Sequence, residues 1–206
     1  GNPANYPAVF KGVPFNGEIK KNLLGDRVYL LGNPYPSAIS ADAFLLANET
    51  KLQGTLYFWT HNSPPSEYIN GDKKYNYTAN DYAVYNRTGG TATQAAVVDL
   101  DFNYPDINTN IPNGNIVAAQ GFFAQASTVG GEIVFNNSMR LSGNAVMDNS
   151  QFFKLGNTSK SSDDGLTITI EKTRVWLNLT NDEGAFKQTL IGYITGATNG
   201  YEGSFD

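Results

Sequence analysis

Short runs of aliphatic, β-branched and aromatic residues recur along the chain, separated by clusters of Gly, Pro, Asn and Asp. That pattern predicts strands at Arg27–Leu31, Thr55–Thr60, Asp81–Asn86, Ala95–Leu100, Asn115–Ala119, Gly121–Ser127, Glu132–Asn136, Gln151–Leu155, Leu166–Ile170, Arg174–Leu179 and Lys187–Ile194. The intervening turn signals are Gly89-Gly90, Pro112-Asn113-Gly114, Gly130-Gly131, Asp163-Asp164-Gly165 and Asp182-Glu183-Gly184. One helix is expected, from Ala41 to Ala47, with Ser40 as its cap, Asp42 in the first turn and Phe44, Leu45 and Leu46 as its apolar face. Pro34 and Pro36 exclude both a helix and a central strand just before it. Residues 1–20, with Pro3, Pro7 and Pro14 around Ala8-Val9-Phe10, read as an extended lead-in with room for one edge strand. A loop of about fourteen residues runs from His61 to Lys74. Many short strands with one short helix predict an all-β fold, a jelly-roll-like β-sandwich, and no shift of composition or internal repeat divides residues 1–206 into two domains.

Composition narrows the chemistry. A chain without cysteine has no thiol nucleophile, disulfide or thiolate-held metal, and one histidine rules out paired-His metal sites within a chain. A formal net charge of −5, with no Lys/Arg run longer than two, lacks the basic footprint that nucleic acid demands. No apolar stretch approaches the roughly 18 residues of a membrane span, and the first residues lack a charged and apolar leader, which predicts a soluble or already processed chain. Charged residues make up 16%, below the usual level of about 25%. With 21 Gly, 24 Asn, 12 Tyr and 12 Phe, this is the composition of a secreted β-protein rich in tight turns.

Aromatic residues form the densest constellation. Tyr57, Trp59, Tyr68, Tyr75 and Tyr77, with Tyr82 and Tyr85 following, cluster around the long loop, and flat rings beside Asn and Asp suit stacking against sugar rings. The same residues also suit cross-strand packing in a sandwich. Asp99, Asp101 and Asn103 alternate along an extended segment, so their oxygens could share a face and hold Ca²⁺. Their spacing opens like an EF-hand loop but departs at Tyr104 and Asn110, and it fits a polar strand face equally. A glycoside-cleaving carboxylate pair would come from Asp99, Asp101, Asp106, Glu132 or Glu171. His61, near Glu67 and Asp72, is the available imidazole base, and no nucleophile elbow accompanies it. Asn-x-Ser/Thr triplets occur at Asn48, Asn76, Asn86, Asn136, Asn157 and Asn178, a number that the Asn and Thr content produces by chance.

Several segments together carry a family resemblance: Leu30 to Ile39, Gly54 to Trp59, Gln120-Gly121-Phe122-Phe123, Phe135 to Arg140, and Arg174 to Thr180. They resemble the β-rich module that precedes the sorting domain in surface proteins exported by the type IX secretion system of Bacteroidota. The resemblance runs from about Phe10 to the last residue and implies an extracellular or cell-surface location, but no reaction. It also implies further strands after Thr195–Tyr201; their absence from a chain ending at Asp206 reflects cleavage, trimming, or strands supplied by another chain. In the last case an unpaired sheet edge would template strand addition by other chains or by copies of this one. The first expectation is therefore a non-enzymatic extracellular structural or adhesion module that self-assembles by strand complementation. The alternatives are a polysaccharide-binding module using the Tyr57–Trp59 aromatics, with Ca²⁺ at Asp99 and Asp101, and a carboxylate-based glycan-active enzyme.

Overall fold

Side chains alternate between the two faces of a strand, and the segment Leu52–Trp59, here β4, sorts by that rule: Leu52, Leu56 and Phe58 are buried while Gln53, Thr55, Tyr57 and Trp59 stand half-buried on the opposite face. The structure is a computed structural model that describes residues 9, 11–60, 65–93, 111–141, 172–180, 186–194, 198 and 200. β4 is the middle strand of an antiparallel five-stranded sheet. The other strands of that sheet are β2 (Val28–Gly32), β5 (Tyr82–Asn86), β6 (Gly89–Thr91) and β8 (Gly121–Ala126), in the order β2-β8-β4-β5-β6. Gly54, at φ 88°, sits where the β4–β8 register shifts between Leu52 and Leu56, a bulge that a side chain would resist.

The inner face of this sheet packs on a second layer. That layer contains β1 (Ile19–Leu23) paired with β9 (Gly131–Phe135), β3 (Ile39–Ser40) paired with β7 (Asn115–Ile116), and the helix α1 (Ala41–Ala47). Phe44 of α1 joins the layers: its ring stacks on Phe135 at 4.7 Å and meets Phe122 edge-on at 5.5 Å. Around it Ile39, Leu45, Leu56, Ile116 and Ile133 are fully buried. Each such side chain contributes about 2 kcal/mol by leaving water. The fold is all-β and sandwich-like, with one α-helix among the described residues. As expected, Ser40 caps that helix, accepting from the Ala43 N–H at 3.2 Å. No helix of the described residues is long and apolar enough to cross a membrane.

Several expectations need correction. The strand expected at Asn115–Ala119 ends at Ile116, the one expected from Thr55 begins at Leu52, and β3 is not among the expected strands. β1 begins at Ile19, inside the segment assigned to the lead-in, because antiparallel pairing with β9 recruits Lys20 and Lys21 into a strand that their propensity disfavours. Gly89 and Gly90 belong to β6 and not to a turn; the turn lies at Arg87-Thr88, where the Asn86 side chain accepts from the N–H groups of Thr88 and Gly89 at 2.9 and 3.2 Å. The expected strands at 95–100, 151–155 and 166–170 lie outside the described residues.

Outside the sandwich runs a two-stranded antiparallel ribbon, β10 (Lys172–Thr180) with β11 (Phe186–Ile194). Its inner face rests on β6. Trp176 donates its indole N–H to the Gly90 carbonyl at 3.0 Å, and the Gln188 side chain accepts from the Ala92 N–H at 3.1 Å. Gly89 serves this approach, since a Cβ there would meet Leu190 Cδ2 at 3.0 Å and Arg174 Nε at 3.2 Å, whereas a Cβ at Gly90 would collide with the Pro112 carbonyl.

Three of the five segments that carry the sequence resemblance, those around Asn33, Gln120 and Arg140, converge on one structural hub. Buried Asn33 donates to the carbonyls of Ser37, Ile116 and Val117 at 2.9, 3.0 and 3.0 Å and accepts from the Tyr35 N–H at 3.0 Å. Gln120 accepts from the Val117 N–H at 3.0 Å, and its carbonyl accepts from the Asn33 N–H at 3.0 Å. Arg140 lies over the Tyr35 ring at 5.5 Å and donates to Ser37 Oγ at 2.9 Å. These motifs therefore specify a scaffold.

Candidate functional site

Trp59 ends β4 on the outer face of the five-stranded sheet, in register with Tyr82 of β5. Tyr82 meets it edge-on, with ring centroids 5.0 Å apart and planes at 67°; Tyr77 meets it from the loop at 5.4 Å and 88°. On its other side Tyr82 stands at 82° to Phe123 of β8, 5.8 Å away. Tyr57 belongs to the same face, paired in register with Phe123 and Val84. Near-perpendicular rings make a walled recess and not the flat platform expected of coplanar aromatics. Trp59, Tyr77, Thr78, Ala79 and Tyr82 line an open depression of about 690 Å³.

Local hydrogen bonds fix these walls. Thr60 N and Oγ1 both donate to the Asp81 carbonyl, at 3.0 and 2.7 Å, tying the end of β4 to the 3₁₀ turn Ala79–Asp81. Thr78 caps that turn by accepting from the Asn80 N–H at 3.2 Å, which holds the neighbouring Tyr77 against Trp59.

Between β4 and this turn the long loop closes on itself. Ser66 and Asn76 exchange backbone hydrogen bonds at 2.9 and 3.0 Å, and the Asn76 amide donates to the carbonyls of Ile69 and Lys73 at 2.9 and 2.7 Å. The resulting lobe carries Tyr68 and Tyr75, exposed at 83% and 56%. Lys74 reaches over the Tyr75 ring at 5.2 Å. No ring contact joins Tyr68 or Tyr75 to the Trp59 cluster among the described residues. Of the five expected aromatics, the fold thus gathers Tyr57, Trp59 and Tyr77 and leaves Tyr68 and Tyr75 on the lobe. Phe123 is the member that sequence reasoning missed, because it comes from a strand more than sixty residues away and local pattern does not report that pairing.

Most of the remaining candidates fall outside the described residues. Asp99, Asp101 and Asn103 lie outside the described residues, as do Asp106, Glu171 and His61. Glu132 is exposed and pairs with Lys20 at 3.2 Å, while Glu67 and Asp72 are exposed on the lobe. Among the described residues no group of three or more His, Asp or Glu side chains could hold a metal ion.

All of residues 1–206 match the model of a family described as a domain of unknown function, DUF8693. The chain belongs to the DUF8693 family. No curated protein and no solved structure matches it. In this DUF8693 domain the open recess around Trp59 is a candidate ligand site among the described residues.

Proposed function

We propose that this DUF8693 domain is a non-enzymatic extracellular adhesion module that grips a polysaccharide chain at the Trp59 recess. The observation that carries this reading is the trio of Trp59, Tyr77 and Tyr82: a half-buried indole and two tyrosines steeply inclined to it, all lining one open recess. The apolar face of a sugar ring stacks on such an indole, and inclined walls limit its lateral movement. Thr78 supplies a hydroxyl at the rim for the sugar's own hydroxyls. An open recess suits a polymer threading across it better than a small molecule sealed from water. Binding to a panel of immobilised polysaccharides, with and without calcium, is the direct test. Trp59→Ala and the more exposed Tyr77→Ala are each expected to weaken binding at least about ten-fold, as loss of a central aromatic anchor does. A chain that binds nothing on the panel, or binds equally after both substitutions, rejects the reading.

Self-assembly by strand addition has an observation of its own. β2 ends the five-stranded sheet with one partner strand among the described residues, and its Val28 and Leu30 are 60% and 67% exposed. Such an edge offers backbone donors and acceptors to an incoming strand. Leu30→Pro removes an N–H from that edge and is expected to abolish concentration-dependent polymers in light scattering; polymers that persist at wild-type levels would count against the β2 edge.

A further inference from the structure

The β10–β11 ribbon has two faces of different fate. Even-numbered residues Arg174, Trp176, Gln188 and Leu190 turn toward β6, whereas the odd-numbered face is open: Val175, Leu177, Leu179, Ile191 and Tyr193 are exposed at 45%, 53%, 73%, 43% and 71%. A two-stranded ribbon is marginal by itself, and an apolar strip this long on a soluble surface marks an interaction site. Nine residues per strand span about 30 Å, and the side chains widen the strip to roughly 15 Å.

We propose that this face is where a second copy of the chain packs, ribbon against ribbon, about an in-plane two-fold axis perpendicular to the strands. The register supplies the argument. Four rungs cross the open face: Thr173 with Tyr193, Val175 with Ile191, Leu177 with Thr189, and Leu179 with Lys187. Lys187 is its single charge and sits at one end, while Tyr193 sits at the other. The proposed axis lays β10 on β10 and β11 on β11 with their directions reversed. Val175 then covers Leu177 of the second copy, and the Tyr193 ring covers Lys187 of the second copy, twice per dimer. A lysine over a tyrosine ring is favourable and grows stronger as water leaves. The other in-plane two-fold, along the strands, seats each Lys187 on Leu179 of the second copy and leaves the ammonium without a partner. The face is thus self-complementary in one arrangement, as an isologous interface must be. The whole chain carries a net charge of −5 while this face carries only the positive Lys187, so like-charge repulsion opposes other self-contacts more than this one. Two such strips remove on the order of 800 Å² in total, the size of a weak interface, so the dimer forms and dissociates with concentration.

Because the chain has no cysteine, the arrangement can be read by cross-linking. Positions 187 and 193 lie about 20 Å apart along one strand, too far for a disulfide within one copy. The double variant Lys187→Cys/Tyr193→Cys of the full chain is expected to yield a covalent dimer under mild oxidation, with each single variant giving several-fold less. Wild-type protein is expected to show a rise in mean mass with concentration in sedimentation equilibrium, and Leu177→Asp, a change at an exposed position, to shift that rise at least ten-fold higher in concentration. A wild-type chain that stays monomeric at millimolar concentration overturns the proposal. So does a dimer that Leu177→Asp leaves unchanged, or a double variant that cross-links no better than the single ones.

Discussion

Asn48, buried just after α1, holds three backbone groups from two elements. Its side-chain amide donates to the Phe44 carbonyl at 2.8 Å and to the Val134 carbonyl at 3.0 Å, and its oxygen accepts from the Val134 N–H at 2.8 Å. Val134 lies in β9, whose other side pairs with β1, so the asparagine occupies the place of a third strand and satisfies an edge that would otherwise be buried without partners. Asn48→Ala strands all three groups at once. It is expected to lower the unfolding free energy by about 3 kcal/mol, read as a drop in the urea midpoint at unchanged slope; a loss under about 1 kcal/mol would mean that water replaces the amide. Four of the Asn-x-Ser/Thr triplets acquire a structural reason of this kind. Asn76 closes the Tyr68–Tyr75 lobe, Asn86 makes the β5–β6 turn, and Asn136 caps a short turn by accepting from the Ser138 N–H at 3.0 Å. Their side chains are committed to the backbone, and the abundance of asparagine, legible as turn chemistry, is also cap chemistry.

At the scale of elements, legibility followed the range of the forces involved. The helix from Ala41 to Ala47 was predicted to the residue, because its cap, its first-turn acid and its apolar face are all local signals. β2, β5, β8, β9, β10 and β11 were placed to within about two residues, since each is long enough to show its pattern. β1, β3 and β6 escaped because partners far along the chain create them: β9 for β1, β7 for β3, and for β6 the ribbon against Gly89 with Pro112 against Gly90. Those glycines read locally as a turn, and only the approach of Leu190 and Arg174 to Gly89 and of Pro112 to Gly90 reveals why no side chain stands there. The candidate site divides the same way. Trp59 and Tyr77 are close in sequence and were read as neighbours, but Phe123 joins them only through the β4–β8 pairing. Tyr68 and Tyr75, equally close in sequence, were turned away by the hydrogen bonds of Asn76, a fold of the loop that its composition does not encode in a periodic pattern.

Across the whole molecule, one buried phenol couples the two layers to pH. Tyr85 projects from the inner face of β5, 5% exposed, and donates to Asp42 Oδ1 of α1 at 3.0 Å; the turn at Gly114 backs onto its hydroxyl so closely that a Cβ there would collide with it. Burial pushes the phenol well above the ordinary tyrosine range, the Asp42 carboxylate pushes it further the same way, and Arg174 on the ribbon opposes both. The folded chain therefore keeps the proton at pH values where the unfolded chain, titrating near 10, releases it. Stability from this contact is fully present below about pH 10 and falls as the pH rises from there toward the folded value, by at most about 1.4 kcal/mol for each pH unit. Tyr35, raised chiefly by burial, and Lys20, raised by Glu132 and Glu18, add changes of the same sign, so the wild-type slope alone does not isolate Tyr85. Tyr85→Phe separates them. At neutral pH it is expected to lose about 1 kcal/mol with the hydrogen bond to Asp42, while between pH 10 and 11.5 its urea midpoint should fall less steeply than that of the wild type, so that the two curves converge. Parallel curves over that interval would show that the layers do not share this proton, and that alkaline unfolding begins elsewhere.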